Sequence, residues 1–585
     1  MSSMLKPSIM SYRDLFVIYL KPQWRRTTLM AALLLISIGL QLVNPQILRY
    51  FIDTVTSGGN LQPLLLAGAT FMGIALANQA ITVFATYESE YVAWTATNQL
   101  RTDLVAHCLS LDMAFHKART AGELIERIDG DVDTLSNFFS QAVIHLLGNG
   151  LLIAGVIALL FGIDWRVGLA MGGFTILALV GLTRLRGFAV KFWTAYRQKD
   201  AEFFGFLGEQ LAGTEDVRAN GASGYVMQRF YLLMRQWLPI QYRASMAAYS
   251  MGATALLVFA LGNALALALG AYLWSTRSIT LGTVYLIFYY INLLNDPIDN
   301  IRGQLQQLQQ AGAGIERVKE LLQLQPTISD GTSSTLPAGA QTVAFRDVSF
   351  SYNADDVVLH HLNFHLQPGK VLGVLGRTGS GKTTLARLIL RLYDVQEGEV
   401  CIGGRPVQTL KLSDLRRYIG MVTQDVQLFH ATVRDNLTLF NHTISDSRIL
   451  AALDDLGLSP WYHSLPMGLD TELGSDGEGL SAGEAQLLAF TRVFLINPGL
   501  VILDEASSRL DPATEQLIER AVSKLLAGRT GIVIAHRLTT IQRADEIMVM
   551  ENGCIIEHGD RAVLAADPAS RFYHLLQTGL EEVHA

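Results

Sequence analysis

Hydrophobic residues occur in long uninterrupted runs in the first half of this chain, and no run of that kind follows residue 325. Three of the runs contain no Lys, Arg, Asp or Glu: LMAALLLISIGL (29–40), AVIHLLGNGLLIAGVIALLFGI (142–163) and MGATALLVFALGNALALALGAYLW (251–274). A membrane-spanning helix needs about 20 consecutive apolar residues, whereas runs of about 10–14 are typical of buried core helices. The pattern therefore predicts a helical membrane domain that precedes a soluble domain.

The membrane domain is predicted to contain six spans, of which the last is too long for a bilayer. At 1.5 Å per residue, residues 280–322 would form a helix of about 65 Å, which is roughly twice the hydrocarbon thickness. Its polar end, RGQLQQLQQAGAGIERVKELLQ, keeps helix-forming residues, so we expect a rigid helical arm beyond the membrane. The expected spans are residues 27–55, 62–110, 136–162, 165–212, 240–275 and 280–322.

Basic residues are distributed unevenly around these spans. The short turns TSGGNLQP, GIDW and STRSIT contain Arg277 as their only basic residue, whereas the long connections contain many Lys and Arg residues. Five basic residues precede the first span: Lys6, Arg13, Lys21, Arg25 and Arg26. Because basic residues favour the cytoplasmic side, we expect a multi-pass protein of the cell inner (cytoplasmic) membrane, with its N-terminus, long connections and soluble domain in the cytoplasm.

The composition agrees with a large membrane protein. The chain has 585 residues, of which 50% are hydrophobic and 17% are charged, so it is too long for a single hydrophobic core. A net charge of −7 gives no reason to expect a nucleic-acid partner. Three isolated cysteines predict neither a disulfide framework nor a metal cluster.

Because turn-forming residues cluster in QPTISDGTSSTLPAG, we expect a membrane domain at 1–325, a linker at 326–339 and a soluble domain at 340–585.

The stretch KVLGVLGRTGSGKTTLARLIL indicates a phosphate-binding loop in the soluble domain. An apolar run leads into Gly376-x-x-x-x-Gly381-Lys382-Thr383 and a helical pattern follows, which is the strand, loop and helix context of a P-loop. Backbone N–H groups from Gly379 to Thr383 would surround phosphate oxygens at a helix N-terminus. We expect Lys382 to reach the β- and γ-phosphates and Thr383 to bind Mg²⁺.

Two carboxylates follow the apolar strand in GLVILDEASSRLD. They would lie at the carboxyl end of that strand, near the P-loop. We expect Asp504 to hold Mg²⁺, usually through water, and Glu505 to orient or deprotonate the attacking water during phosphoryl transfer. His536, at the end of the apolar strand in IVIAHRL, could then contact the γ-phosphate.

These residues, in this order, resemble the motifs of an ATP-binding cassette. Tyr352 in FSY matches the aromatic residue that stacks on adenine, and Gln424 in VTQD matches the glutamine of the Q-loop. LSAGE (480–484) matches the signature motif, and Asp511 in SRLD matches the D-loop. The whole chain resembles an exporter-type half-transporter. This resemblance implies a membrane all-α six-helix transmembrane domain fused to an α/β P-loop ATPase domain.

The membrane half agrees with this resemblance in AGELIERIDGDVDTL (121–135) and GAGIERVKELL (312–322). In the family two halves pair, and each ATP lies between the P-loop of one cassette and the signature of the other. The resemblance therefore implies ATP and Mg²⁺ as cofactors, and a second half-transporter, the lipid bilayer and a small hydrophobic or amphipathic substrate as partners.

The resemblance also implies the roles of individual residues. It assigns catalysis to Glu505, His536 and Gln424, and the Mg²⁺ site to Thr383, Gln424 and Asp504. The residues expected to bind the nucleotide are Tyr352, Gly376, Thr378, Gly379, Ser380, Gly381, Lys382, Thr383, Thr384, Ser481, Gly483 and Asp511.

The signature motif departs from the family pattern, because Ala482, Gly483 and Glu484 stand where two glycines and a glutamine are usual. Ser481 and the backbone N–H of Gly483 can still meet a phosphate. Glu484 either repels the triphosphate, by about 3 kcal/mol per unit charge at about 6 Å, or turns toward the ribose hydroxyls. Ser475 stands where the family commonly has a glutamate that contacts the partner. These departures favour a heterodimer with one competent and one altered site, and a homodimer remains the alternative.

The transport path is less clearly marked than the ATP site. Glu88, Glu90, Asp296 and Asp299 either border the path or lie beyond the hydrocarbon on cytoplasmic arms. An apolar and aromatic cavity, which would include the residues at 288–290, would suit drugs, lipids or hydrophobic peptides. ATP-driven export is the predicted function. Import on the same architecture, and a membrane regulator that uses ATP only as a switch, are the alternatives.

Overall fold

The computed structural model describes residues 16–137, 140, 146–332, 336–353, 356–474, 480–504, 512–535 and 541–578. These residues form two compact units. The first comprises the residues up to Ser110 together with Thr120–Gln325, and the second comprises Leu111–Arg119 together with the residues from Pro326 onward. The short segment Leu111–Arg119 therefore belongs to the second unit, although the chain continues into the first unit at both of its ends.

The described part of the first unit is helical. Five of its helical stretches are long and apolar enough to cross a membrane: Val17–Thr56, Leu61–Ser110, Leu146–Ile163, Trp165–Ala212 and Ser223–Ser275. Its helices are α1 (Trp24–Thr56), α2 (Leu61–Ser110), α4 (Ala121–Ile125), α5 (Asp131–Asn137), α6 (Asn149–Ile163), α7 (Trp165–Ala212), α8 (Thr214–Ala219), α9 (Ser223–Ser275), α10 (Leu281–Leu293) and α11 (Asn295–Gln323). Helix α3 (Met113–Ala118) lies in the segment that belongs to the second unit.

The last predicted span differs from the expected continuous helix, because it is divided into α10 and α11 at Leu294. Pro297 explains the break, since it has no N–H to donate to the carbonyl of Leu293, four residues earlier. The apolar part, α10, has only 13 residues, and the 29 residues of α11 are predominantly polar. This segment therefore does not meet the length and composition of the five stretches above.

One face of α10 packs into the helical core of the first unit. Leu286, Ile287 and Tyr290 are fully buried among side chains of α6, α7 and α9. The hydroxyl of Tyr290 donates to the carbonyl oxygen of Leu42 at 2.8 Å and accepts from Gln46 Nε2 at 2.8 Å. The expectation that Tyr290 lines a substrate cavity is therefore wrong, because helical periodicity turns it into the core. Phe288 and Tyr289 on the neighbouring face are half-buried.

An ion pair between a buried aspartate and a half-exposed arginine joins the stretches 121–135 and 312–322 of the first unit. Asp131 of α5 is only 3% exposed, and it accepts hydrogen bonds from Nε of Arg317 at 2.8 Å and from Nη2 of the same residue. Gly314, one turn earlier on α11, also packs against Asp131. A buried carboxylate needs such a partner, because an unpaired buried charge is strongly destabilising. The pair therefore fixes α5 against α11.

Glu88, one of the acidic residues considered for the transport path, also has a cationic partner. Its Oε2 lies 3.2 Å from Nη1 of Arg26, and the guanidinium of Arg26 lies 3.8 Å from the ring centroid of Tyr91. Arg26 is close to the start of α1, after the basic N-terminal stretch. Glu88 is thus held in a contact between α1 and α2.

In the part of the second unit that the structure describes, the strands form three sheets. A six-stranded sheet has the order β12-β11-β3-β10-β9-β6, a four-stranded sheet the order β2-β1-β4-β5, and a small sheet pairs β7 with β8. The strands are β1 (Val343–Asn353), β2 (Asp356–Leu366), β3 (Val371–Leu375), β4 (Glu397–Ile402), β5 (Arg405–Pro406), β6 (Ile419–Val422), β7 (Ala431–Thr432), β8 (Glu472–Leu473), β9 (Leu500–Asp504), β10 (Thr530–Ile534), β11 (Glu546–Glu551) and β12 (Cys554–Asp560).

The remaining described helices of this unit lie between or after its strands. They are α12 (Lys382–Ile389), α13 (Leu412–Tyr418), α14 (Val433–Thr438), α15 (Asp446–Asp455), α16 (Ser459–Ser464), α17 (Ala482–Ile496), α18 (Pro512–Leu526), α19 (Arg561–Ala566) and α20 (Arg571–Thr578).

The central strands of the large sheet place the predicted motifs at one edge. β3, β9 and β10 are short apolar runs that are buried along their whole length, as expected for strands covered on both faces. β10 pairs in parallel with both β3 and β9. The carboxyl ends of the three strands therefore meet at the same edge of the sheet, which brings the P-loop close to Asp504.

Candidate functional site

The loop between β3 and α12 has the conformation that its glycines allow. Gly376, Gly379 and Gly381 have φ angles of 151°, 84° and 99°, a region that side chains with a Cβ rarely adopt. A Cβ on Gly376 would lie 2.2 Å from the carbonyl oxygen of Met550, and one on Gly381 would lie 2.5 Å from Leu359. The backbone angle therefore favours glycine at all three positions, and the Met550 carbonyl leaves no room for a side chain at Gly376. The loop delivers its backbone N–H groups to the start of α12, where an anion is favoured.

Lys382 lies inside this loop and is hydrogen-bonded to the loop's backbone. Its side chain is buried, and Nζ donates to the carbonyl oxygens of Gly376 at 2.7 Å and Arg377 at 2.9 Å. Ser380 Oγ is also buried, and it has no hydrogen-bond partner within the described part of the chain. The loop thus presents the ammonium of Lys382, the hydroxyl of Ser380 and several backbone N–H groups, a donor set suited to phosphate oxygens.

A cleft of about 650 Å³ gathers most of the predicted nucleotide and Mg²⁺ residues. Asp504 is buried at the end of β9, and it shares the cleft with Thr383 and Gln424. The hydroxyl, carboxylate and amide oxygens of these three side chains are hard donors of the kind that Mg²⁺ prefers. The cleft is lined by Tyr352, Val358, Thr378, Gly379, Gly381, Lys382, Thr383, Thr384, Gln424 and Asp504.

A slightly larger cleft, of about 710 Å³, lies at the opposite edge of the sheet. Tyr418 and Gly499, which precede β6 and β9, border it together with Arg417, Arg448 and Arg529. None of the residues predicted to bind nucleotide lines this cleft. We assign the nucleotide to the smaller cleft, because only that one contains the P-loop and the acidic end of β9.

Several predicted residues lie outside the described part of the structure. Glu505 and Asp511 follow β9, and His536 follows β10. Ser475 likewise falls in the undescribed residues before the signature motif. The strands that lead to Glu505 and His536 are adjacent, and Asp504 lies opposite Ile534 in their register.

Tyr352 is held in place by polar and aromatic contacts that the sequence did not indicate. Its hydroxyl lies 3.1 Å from Thr384 Oγ1 and accepts from Arg387 Nη1 at 3.0 Å. The rings of Phe350 and Tyr393 make edge contacts with it, with centroids 4.9 and 5.0 Å away. Burial raises the pKa of Tyr393, so this ring remains neutral at physiological pH. Thr384 and Arg387 are three residues apart on α12, so both side chains lie on one face of the helix. This spacing is the sequence feature that could have indicated a shared partner.

The signature motif forms a capping box at the start of α17. The backbone N–H and the hydroxyl of Ser481 donate to Glu484 Oε2 at 2.7 and 2.8 Å, and the backbone N–H of Glu484 donates to Ser481 Oγ at 3.2 Å. Gly483 is buried, whereas Ser481 and Ala482 are exposed. The Ser-x-x-Glu spacing is a known sign of this arrangement, and it could have been read from the sequence. The carboxylate of Glu484 thus binds within its own helix turn.

Arg492, the only basic residue of α17, ties this helix to the segment that follows Gln424. Its guanidinium donates to the carbonyl oxygens of Asn436 at 2.7 Å and Gln427 at 2.8 Å, and to the Asn436 side chain at 3.1 Å. Burial lowers the pKa of Arg492 below its ordinary value. A single arginine in the apolar stretch AQLLAFTRVFLI was a visible signal, but its partners depend on the tertiary fold.

Comparisons with known proteins agree with this architecture. Residues 27–298 match the profile described as ABC transporter transmembrane region, and residues 359–508 match the profile described as ABC transporter. The chain is 31% identical to the ABC transporter ATP-binding protein YknV of Bacillus subtilis, over 94% of this chain and 91% of that protein. It is 31% identical to an ATP-dependent lipid A-core flippase of Saccharophagus degradans, over 90% of each.

A solved structure is similar along nearly the whole chain. It is described as a bacterial Atm1-family ABC exporter with ATP bound, and it superposes with a TM-score of 0.76 at 26% sequence identity. The similarity covers 96% of this chain and 97% of that one. This similarity agrees with the presence of a transmembrane region and an ATP-binding domain in one chain.

Proposed function

This chain belongs to the ATP-binding cassette (ABC) transporter family, and we propose that it is one half of a heterodimeric exporter of lipids or lipid-like amphipathic molecules. The main support for the proposal is that one chain contains both five long apolar helices and a cleft that includes the P-loop. ATP hydrolysis in the second unit drives export through the first. Import has no support among these relatives, which include a flippase and an exporter.

The cleft residues divide the binding of ATP between them. Lys382 and the N–H groups of the loop hold the β- and γ-phosphates, and the ring of Tyr352 stacks on the adenine. Thr383, Gln424 and Asp504 would hold Mg²⁺, which when bound neutralises charge on the phosphates, and their presence in one cleft supports this assignment. The buried hydroxyl of Ser380 supports this assignment, because a phosphate oxygen would supply the partner that it lacks among the described residues.

The chemical step is assigned to residues beyond β9 and β10. Glu505 accepts a proton from the attacking water or orients it, and His536 contacts the γ-phosphate. Asp511 matches the aspartate of the family's D-loop motif. Their neighbourhood is consistent with these roles, because Asp504 and Ile534, which stand close to them in sequence, lie side by side in the sheet.

The second half is proposed to be a different chain. Each cassette of a pair presents its signature to the ATP of the other, and in this chain the Ser481 donors of that signature are already bonded to Glu484. The site completed by this signature would therefore bind phosphate less well than the site built on this chain's own P-loop. Two copies of this chain would contain two weakened signatures, whereas a partner with an intact signature would complete one fully competent site.

The cytoplasmic membrane is the proposed location, with the second unit in the cytoplasm. The support comes from the many basic residues of the long connections, in contrast to the single Arg277 of the short turns. The apolar surface of the helices agrees with a bilayer environment, since side chains such as Leu177 and Leu256 are each 74% exposed.

Transport in proteoliposomes tests the function. The chain is co-purified with a second half-transporter, reconstituted, and assayed for ATP-dependent movement of a labelled phospholipid and of a cationic amphipathic dye. We expect movement of the phospholipid that stops in Lys382→Ala. If only the dye is transported, the substrate is a cationic amphipathic molecule and not a lipid. If this chain is fully active without a partner, the heterodimer proposal is wrong.

A further inference from the structure

A lysine from the segment Leu111–Arg119 lies over the ring of Tyr352. Nζ of Lys117, on α3, is 4.2 Å from the ring centroid of Tyr352, and both residues belong to the second unit. Lys117 is an exposed side chain. A cation in this position is attracted by the electron-rich face of an aromatic ring.

The ring face is the part of Tyr352 that remains for a ligand. The hydroxyl is bonded to Thr384 and Arg387, and Phe350 and Tyr393 pack against the ring by edge contacts. Stacked aromatic rings lie with their centroids about 4.5–7 Å apart. An ammonium at 4.2 Å therefore occupies the space that a base stacked on the same face would need.

The segment that carries Lys117 is anchored at its other end. The carboxylate of Asp112, just before α3, accepts from the backbone N–H and the hydroxyl of Thr327 at 2.5 and 2.6 Å, and from the N–H of Ile328 at 3.4 Å. All these residues lie in the second unit. Lys117 can therefore leave the ring without loss of the attachment at Asp112.

We infer that Lys117 is a positioning residue of the nucleotide site, which covers the adenine-binding face of Tyr352 before ATP binds and is displaced by the base. The inference rests on the proposed role of Tyr352. The chain continues from Ser110 and Thr120 into the helical first unit. Displacement of Lys117 therefore acts on a segment that is covalently joined to the membrane helices at both ends, so that the membrane unit senses a base and not a phosphate alone.

The sign of the effect of Lys117→Met distinguishes this inference from simple charge attraction. If Lys117 competes with the base, its removal raises the affinity of the full-length protein for a non-hydrolysable ATP analogue by about two- to fivefold. Affinity for inorganic tripolyphosphate, which has no base, stays unchanged. Simple attraction between an ammonium and a polyanion predicts weaker binding of both ligands.

Two control variants accompany this measurement. Lys117→Arg keeps a cation that can stack on the ring. We therefore expect this variant to bind the ATP analogue with the same affinity as the unsubstituted protein. Lys411→Met removes the same charge from an exposed lysine elsewhere in the second unit, so it should leave both affinities unchanged. Equal or lower affinity for the ATP analogue in Lys117→Met, relative to the unchanged protein, overturns the inference.

A double substitution separates this inference from the assignment on which it rests. Tyr352→Leu should weaken binding of the ATP analogue, and Lys117→Met should have no further effect in that background. If Tyr352→Leu leaves affinity unchanged, the stacking role of Tyr352 is wrong. If Tyr352→Leu weakens binding but Lys117→Met raises affinity equally with and without the ring, the assigned role of Tyr352 stands and the role of Lys117 is wrong.

Discussion

Ser481 and Glu484 bind each other at the start of α17, and this contact defines how the altered signature motif behaves. The N–H and hydroxyl of Ser481 are the donors that a phosphate of the partner's ATP would need, and both are bonded to Glu484 Oε2. A phosphate must therefore compete with an anion supplied by the protein itself. The same carboxylate also stabilises the helix terminus, so its charge and its capping role need to be tested separately.

Glu484→Gln separates the two roles, because glutamine also serves at this position of a capping box. We expect the melting temperature to stay nearly unchanged, while the heterodimer retains nucleotide more strongly at the site formed by this signature. Glu484→Ala is the matched control, and loss of the cap should lower stability by about 0.5–1 kcal/mol. Unchanged retention of labelled nucleotide in Glu484→Gln would show that the carboxylate does not weaken that site.

Tyr352 is expected to act through its ring face. Tyr352→Ala should reduce ATP affinity at least about fivefold, since stacking on a base contributes about 1–3 kcal/mol, and Tyr352→Trp should largely retain it. Tyr352→Phe keeps the ring but loses the contacts with Thr384 and Arg387, so it measures the hydroxyl alone. Equal loss of affinity in the alanine and tryptophan variants, by calorimetry, would argue against stacking.

Elements whose sequence pattern is local were predictable, whereas elements that depend on distant contacts were not. The apolar run of β3, the glycines of the loop and the start of α12 at Lys382 follow from neighbouring residues. The division between α10 and α11 could have been read from Pro297. The burial of Tyr290 and the attachment of Lys117 to Tyr352 could not, because they join residues that are far apart in sequence.

Helix α17 offers a test of such a long-range contact. Arg492→Met should destabilise the full-length protein by about 1–3 kcal/mol, because the carbonyl of the buried Asn436 loses its donor and the carbonyl of the exposed Gln427 loses a further bond. It should also reduce hydrolysis, since the segment that these carbonyls hold follows Gln424. Arg520→Met, at an exposed position of α18, is the control. If Arg492→Met, Arg520→Met and the unsubstituted protein all unfold at the same temperature, Arg492 does not have this stabilising role.

The whole molecule joins two units that differ in the kind of chemistry they perform. The first supplies apolar helices for a bilayer, and the second supplies a cleft whose donors suit a triphosphate with Mg²⁺. The chain contains a P-loop and a signature, but in this family each ATP is completed by a second chain. The resemblance of the sequence motifs to the family implied a paired arrangement of this kind. The contact between Glu484 and Ser481 was not predicted, because the expected orientations of Glu484 were toward a bound nucleotide and not toward its own helix turn.

The ATPase rate of the proposed heterodimer, reconstituted in liposomes, measures whether ATP is hydrolysed at this chain's own P-loop. Glu505→Gln removes the base that orients the attacking water and leaves the P-loop intact, so the rate should fall at least about 100-fold while ATP binding persists. The double variant Ala482→Gly with Glu484→Gln should change the rate only modestly, because it alters the other site. A near wild-type rate for Glu505→Gln at saturating ATP would show that Glu505 is not the base that orients the attacking water.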